Sequence, residues 1–120
     1  MGTPTMGAVE ARFADMIWAA EPITAVELAR RCEKEFSWKK STTYTVLKRL
    51  CDKNIFRNDG GTVTSLLSRD DFYAAQSEEF IDSTFGGSLP AFIAAFSKRK
   101  TLSDAEIDAL RRMIDEYGEK

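Results

Sequence analysis

The chain has 120 residues, a formal net charge of −2, 43% hydrophobic and 30% charged side chains, the balance of one ordinary folded domain or two small lobes rather than of a disordered chain. Histidine is absent, which excludes Ser-His-Asp and Cys-His catalysis and every His-ligated metal site. No apolar run approaches the roughly 18 residues of a membrane span, and Met1–Ala8 has neither a basic nor an apolar leader pattern, so a cytoplasmic protein with no membrane insertion is expected.

Glu10 to Ala20 reads as a first helix, with Phe13, Met16 and Ile17 at helical spacing and Trp18 beside them. Glu21-Pro22 ends it. Thr24-x-x-Glu27 is a capping box that predicts a second helix, with Leu28, Ala29 and Cys32 on its apolar face and an end near Phe36. A third helix is predicted from near Lys39–Ser41 to about Lys53. Val46, Leu47, Leu50 and Cys51 form its buried stripe, with Lys40, Ser41, Tyr44, Thr45, Lys48 and Arg49 on the other side. Two β-prone runs then flank Asn58-Asp59-Gly60-Gly61, residues that accept the positive φ of a tight hairpin. Three helices followed by a hairpin is the order of a winged helix-turn-helix; a small α+β domain without a nucleic-acid role is the competing reading.

Ser68-x-x-Asp71 predicts a fourth helix carrying Phe72, Ala75, Phe80 and Ile81 and ending at Phe85-Gly86-Gly87. Ser88 caps a fifth helix, with Pro90 in its first turn and Phe92, Ile93 and Phe96 on its apolar face. Ser103-x-x-Glu106 opens a sixth, with Ile107, Leu110, Ile114 and Tyr117 in register. The fold class is thus mainly α with a small β-hairpin wing, divided into a winged-helix DNA-binding domain at 8–68 and a helical dimerisation domain at 69–120. Leaving a phenylalanine wet costs about 2 kcal/mol, so Phe72, Phe80, Phe85, Phe92 and Phe96 must pack on the first lobe or on a second subunit. The second option is preferred. It makes these residues, with Leu89, Ile107, Leu110 and Ile114, the expected dimerisation surface.

The charge is uneven: residues 1–68 carry +2, residues 69–120 carry −4, and Lys39 to Arg57 alone carries +5. A local basic stripe is what phosphate contact requires, whatever the total. Short polar side chains suit base edges and flanking cations suit phosphates, so Lys39, Lys40, Ser41, Thr42, Tyr44, Thr45, Lys48 and Arg49 form the expected DNA-binding set, joined by Arg57 at the base of the wing. Asp59 at the wing tip repels phosphate, leaving the Gly60 and Gly61 amides as its only offering. Cys32 and Cys51 form no Cys-x-x-Cys pattern and are expected to be free, buried thiols. No catalytic group, metal site or cofactor is expected, and the protein is not read as an enzyme.

On these residues the sequence resembles the penicillinase-repressor (BlaI/MecI/CopY-type) family of winged-helix transcriptional regulators. Trp38-Lys39-Lys40-Ser41-Thr42-Thr43-Tyr44-Thr45-Val46-Leu47-Lys48-Arg49-Leu50 is similar to the family's Trp-Ser-x-Ser-Thr-Val-x-Thr-x-Leu-x-Arg-Leu recognition segment. Glu10 with Ile17-Trp18, Thr24 to Leu28, Ser68 to Phe72, Phe85 to Leu89 and Leu102 to Leu110 resemble its other helix boundaries. The resemblance implies a homodimeric repressor that binds palindromic promoter operators in double-stranded DNA and blocks transcription. Some members are cut by a membrane sensor-protease between Asn and Phe of the fifth helix; the matching pair here is Ala95-Phe96. The copper-responsive relatives carry a C-terminal Cys-x-Cys hook, and no cysteine follows Cys51. The alternative function is a winged-helix protein–protein interaction module without DNA binding, suggested by the acidic total charge and the Phe-rich tail.

Overall fold

The computed structural model describes residues 5–118; the first residues of the Met1–Ala8 stretch considered above lie outside that range. Helix α1 (Ala8–Ala20) starts earlier than the expected Glu10, because Glu10 occupies its third position and its Oε1 accepts the Gly7 N–H at 3.2 Å. It buries Phe13, Ala14 and Ile17. Helix α2 (Ala25–Phe36) starts at Thr24, whose Oγ1 accepts the Glu27 N–H at 3.1 Å. The reciprocal half of the capping box is not made. The Glu27 carboxylate instead takes the Nε donors of Arg30 at 2.8 Å and Arg31 at 3.2 Å, and these two bonds, Arg30's first, hold it down to about 2. Ser37, left-handed at φ 58°, closes the helix.

Helix α3 (Lys40–Asp52) packs against α2 through a stripe of Thr43, Val46, Leu47 and Leu50. After Asn54, also left-handed, the chain forms β2 (Phe56–Asp59) and β3 (Thr62–Ser65), antiparallel from Phe56↔Ser65 to Asp59↔Thr62. Gly60 and Gly61 make the two-residue turn at φ 61° and 96°, the conformation that twist-matched hairpins require. A strand that the sequence reading passed over, β1 (Ile23–Thr24), pairs with the other edge of β3, giving the order β1-β3-β2. Two residues are too few to show a period. Their pairing is secured from outside: the Ala25 N–H donates to the Gly61 carbonyl at 2.8 Å, and the Glu21 carboxylate accepts the Ser65 N–H and hydroxyl at 2.8 and 2.9 Å.

The chain divides into two compact units, Met1–Glu79 and Phe80–Lys120. The division falls within α4 (Arg69–Phe85), whereas the expected boundary stood at that helix's start. The first unit has one core, built from Phe13, Ile17, Ile23, Leu28, Cys32, Val46, Leu47, Leu50, Ile55, Phe56, Val63 and Phe72. Trp18 lies against the rings of Phe56, Phe72 and Tyr73, and its indole N–H donates to the Leu67 carbonyl at 3.0 Å. Phe72 therefore has to be removed from the expected dimerisation surface. It is 2% exposed within this core, because the first turn of α4 returns it to Trp18.

The second unit holds the end of α4, α5 (Leu89–Arg99) and α6 (Asp104–Gly118). Its capping residues act as the sequence predicts: Ser88 Oγ accepts the Ala91 N–H at 3.1 Å, and Ser103 and Glu106 make both bonds of a capping box at 3.1 Å. Phe80, Phe85 and Phe92 meet edge-on with centroids 5.7 to 6.1 Å apart, and Phe96 adjoins Phe92 at 6.2 Å. Neither α5 nor α6 has a fully buried residue among those described.

Candidate nucleic-acid interface

Helix periodicity sorts α3 into two faces. Thr43, Val46, Leu47 and Leu50 point into the core, which leaves Lys40, Ser41, Thr42, Tyr44, Thr45, Lys48 and Arg49 exposed, preceded by the exposed Lys39 at the N-cap. The expected DNA-contacting residues of this helix thus share one solvent face. The first turn of α3 contains no acidic side chain; α1, α2, α4 and α6 each carry at least one. The positive end of the α3 dipole is therefore uncompensated and adds to Lys39 and Lys40.

The cations on this face are not equivalent. Lys39 and Lys40 form no ion pair among the described residues, whereas Lys48 reaches Asp52 at 3.1 Å and Arg57 reaches Asp59 at 3.4 Å. Arg49 is drawn toward α1 by Glu10 at 3.2 Å, and Lys53 approaches the same carboxylate at 3.8 Å. Burial alone would raise Glu10, but the Gly7 N–H, Arg49 and Lys53 outweigh it and hold the carboxyl below its ordinary range. Thr45 donates its hydroxyl to the Ser41 carbonyl at 2.9 Å. Toward a base edge it therefore offers a methyl group and acceptor lone pairs, while Ser41 and Thr42 keep rotatable hydroxyls.

The wing differs from expectation in one respect. The Gly61 N–H is committed to Asn58 Oδ1 at 3.0 Å, so only Gly60 of the two glycine amides remains for an outside acceptor. Asp59 is exposed at the tip, as its position in the hairpin requires. Arg57 is exposed at the base of the wing and turned to Asp59.

The rest of the predicted set distributes as follows. Phe80, Leu89, Phe96 and Ile114 are exposed, and Phe85, Phe92, Ile107 and Leu110 are half-buried, all in the second unit. Ala95 and Phe96 are exposed on α5. Cys32 is buried and Cys51 half-buried, both free, with burial pushing each thiol upward. Among the described residues no helix is long and apolar enough to cross a membrane.

Residues 6–116 match the family described as penicillinase repressor. The chain belongs to the penicillinase repressor family. It is 23% identical over 110 residues to a penicillinase repressor of Staphylococcus aureus, covering 88% of this chain and 87% of that one. It is 24% identical over 117 residues to the methicillin resistance regulatory protein MecI of Staphylococcus aureus (strain Mu50 / ATCC 700699), covering 94% and 95%. As a member of the penicillinase repressor family it is a DNA-binding transcriptional regulator and not an enzyme. Sequence reasoning missed β1 and the bond from Ala25 to Gly61, which fix the wing against the start of α2. The Pro22-Ile23-Thr24 segment, with its β-branched pair, was the available signal.

Proposed function

We propose that the chain acts as a homodimeric repressor whose two α3 faces enter successive major grooves of a palindromic promoter operator and block transcription by occupying it. The observation that carries this reading is the hydroxyl-rich, cationic face of α3, standing opposite a buried stripe and led by Lys39 and Lys40, which form no ion pair among the described residues. The uncovered Phe80, Leu89, Phe96 and Ile114 of the second unit supply the surface for a second copy. A two-fold dimer places half-sites about 34–36 Å apart. Lys39 and Lys40 serve phosphates, Ser41, Thr42 and Thr45 read base edges, and Tyr44 reaches a phosphate or sugar. Arg49 contributes less because Glu10 already holds it. Ala95-Phe96 keeps the phenylalanine of the cut suffered by some family members without its asparagine, so a sensor-protease partner forms no part of the proposal.

The test begins by selecting fragments of genomic DNA on the purified chain and measuring their affinity against scrambled duplexes over a salt series. The expected result is preference for an inverted repeat, with log affinity falling against log salt at about −0.9 per phosphate contacted. Lys40→Ala should weaken all sequences alike and reduce that slope by about one. Thr42→Ala should change base preference at one position of each half-site. Equal affinity for scrambled DNA, or a flat salt response, would favour the protein-interaction module and overturn the proposal.

A further inference from the structure

A groove of about 420 Å³ runs alongside the α3 face, lined by Ala25 of α2, Tyr44, Leu47, Lys48 and Cys51 of α3, and Asn58 of β2. That volume lies within the range of small-molecule sites. Ala25, Leu47, the half-buried Cys51 and the Tyr44 ring give it an apolar lining. Its polar groups are the Lys48 ammonium, the Tyr44 phenol and the Asn58 amide. Asn58 Oδ1 is already taken by the Gly61 N–H at 3.0 Å, so the amide has its NH₂ donors to offer. Lys48 is held by Asp52 at 3.1 Å, but the two side chains are 77% and 67% exposed, and such pairs exchange readily for another anion.

An apolar lining with polar groups that can each donate suits a ligand with an apolar body and an acceptor group at one end. A neutral hydrocarbon would leave these donors to water and to Asp52 and so gain nothing from them, and a small inorganic anion would leave the apolar lining wet. We propose that the groove between α3 and β2 binds a small aromatic carboxylic acid, its ring against Ala25, Leu47 and Cys51 and its carboxylate toward Lys48, Tyr44 and Asn58. Tyr44 and Lys48 belong both to this groove and to the proposed DNA face. An acid seated there therefore competes with the operator, and this consequence rests on the function proposed above.

The groove is tested on the full chain without DNA, by titrating 2-naphthoate and its neutral analogue 2-naphthalenemethanol and following backbone amide shifts. The expected result is saturable shifts centred on Ala25, Leu47, Cys51 and Asn58, with the alcohol binding about tenfold more weakly. Lys48→Gln, at an exposed position, should remove most of that difference while leaving the shift pattern in place. Shifts that are absent, that centre elsewhere, or that are equal for the two probes would overturn the site. A second arm adds 2-naphthoate to the chain bound to a selected duplex. Release of DNA by the acid, and not by the alcohol at the same concentration, is expected; DNA retained at saturating acid would overturn the competition. Because the first arm contains no DNA, failure of the groove is distinguishable from failure of the repressor reading.

Discussion

Thr43 sits on the buried side of α3, fully enclosed, and among the described residues its hydroxyl oxygen has no hydrogen-bond partner of ordinary geometry. The Cys32 thiol is its polar neighbour, and it offers only a weak acceptor. Enclosing an unsatisfied hydroxyl costs about 1–3 kcal/mol, whereas valine fills nearly the same volume without it. Thr43→Val is therefore expected to stabilise the chain by about 1 kcal/mol, read as a higher urea midpoint at unchanged slope. DNA affinity should not change, since residue 43 faces away from Lys40, Ser41 and Tyr44. A loss of stability would mean that the hydroxyl has a partner the geometry does not reveal. The same residue shows what composition alone leaves open. Thr43 lies within a run of hydroxyl residues, Ser41 to Thr45, and composition does not separate those that face solvent from the one that faces Cys32. Helical phase does: the stripe of Val46, Leu47 and Leu50 expected from spacing already leaves Thr43 off the solvent face.

Two connections hold elements of the first unit together. Glu10 on α1 draws Arg49 of α3 and Lys53 just beyond it to itself, and its carboxyl lies below the ordinary 4.5 despite an upward push from burial. A carboxylate lowered in the folded state contributes stability that is present above its unfolded value and is lost as pH falls through the folded value. Glu10→Gln should thus lower stability at pH 7 by no more than about 1 kcal/mol, since Arg49 is half in solvent. The gap between wild type and variant should narrow below pH 4.5 in thermal melts; a gap independent of pH would place the effect in packing rather than charge. The second connection is the wing turn. A Cβ on Gly60 or Gly61 meets nothing within 4 Å, but φ is +61° at the first and +96° at the second. Asparagine tolerates the former and alanine does not tolerate the latter. Gly61→Ala is expected to cost about 1–2 kcal/mol and Gly60→Asn much less, compared by denaturant midpoint. The hairpin was legible because Asn58-Asp59-Gly60-Gly61 states its turn chemistry locally. The helix starts at Thr24, Ser68, Ser88 and Ser103 were legible for the same reason. Strand β1 was not, because Ile23 and Thr24 become a strand only by pairing with Val63 and Thr62, far along the chain. Phe72 was misplaced on similar grounds: its helical spacing groups it with Phe80, while its burial depends on Trp18 and Phe56.

At the scale of the whole molecule, the two units differ in how far they enclose themselves. The first surrounds three phenylalanines completely, whereas in the second Leu89 and Ile114 remain 59% and 67% exposed and Phe80 50%. Apolar surface of this extent on a small helical unit suits a covering partner, and the two-fold operator proposed above calls for that partner to be a second copy. Leu89 and Ile114 are useful probes because one chain alone leaves them wet, so charging them does not damage an interior. The double variant Leu89→Asp with Ile114→Asp is therefore expected to sediment as a monomer and to keep the helical content of the wild type. Its melting temperature should no longer depend on protein concentration, as that of an associating chain does. Operator affinity should fall by about a hundredfold or more, because each half-site is then bound without the effective concentration that linkage provides. Affinity for a single half-site duplex should stay the same, since α3 and its supporting core lie in the first unit. If the variant still formed dimers, the subunit contact would lie outside these residues. If it became monomeric and bound the full operator as tightly as before, the two α3 faces would not act together.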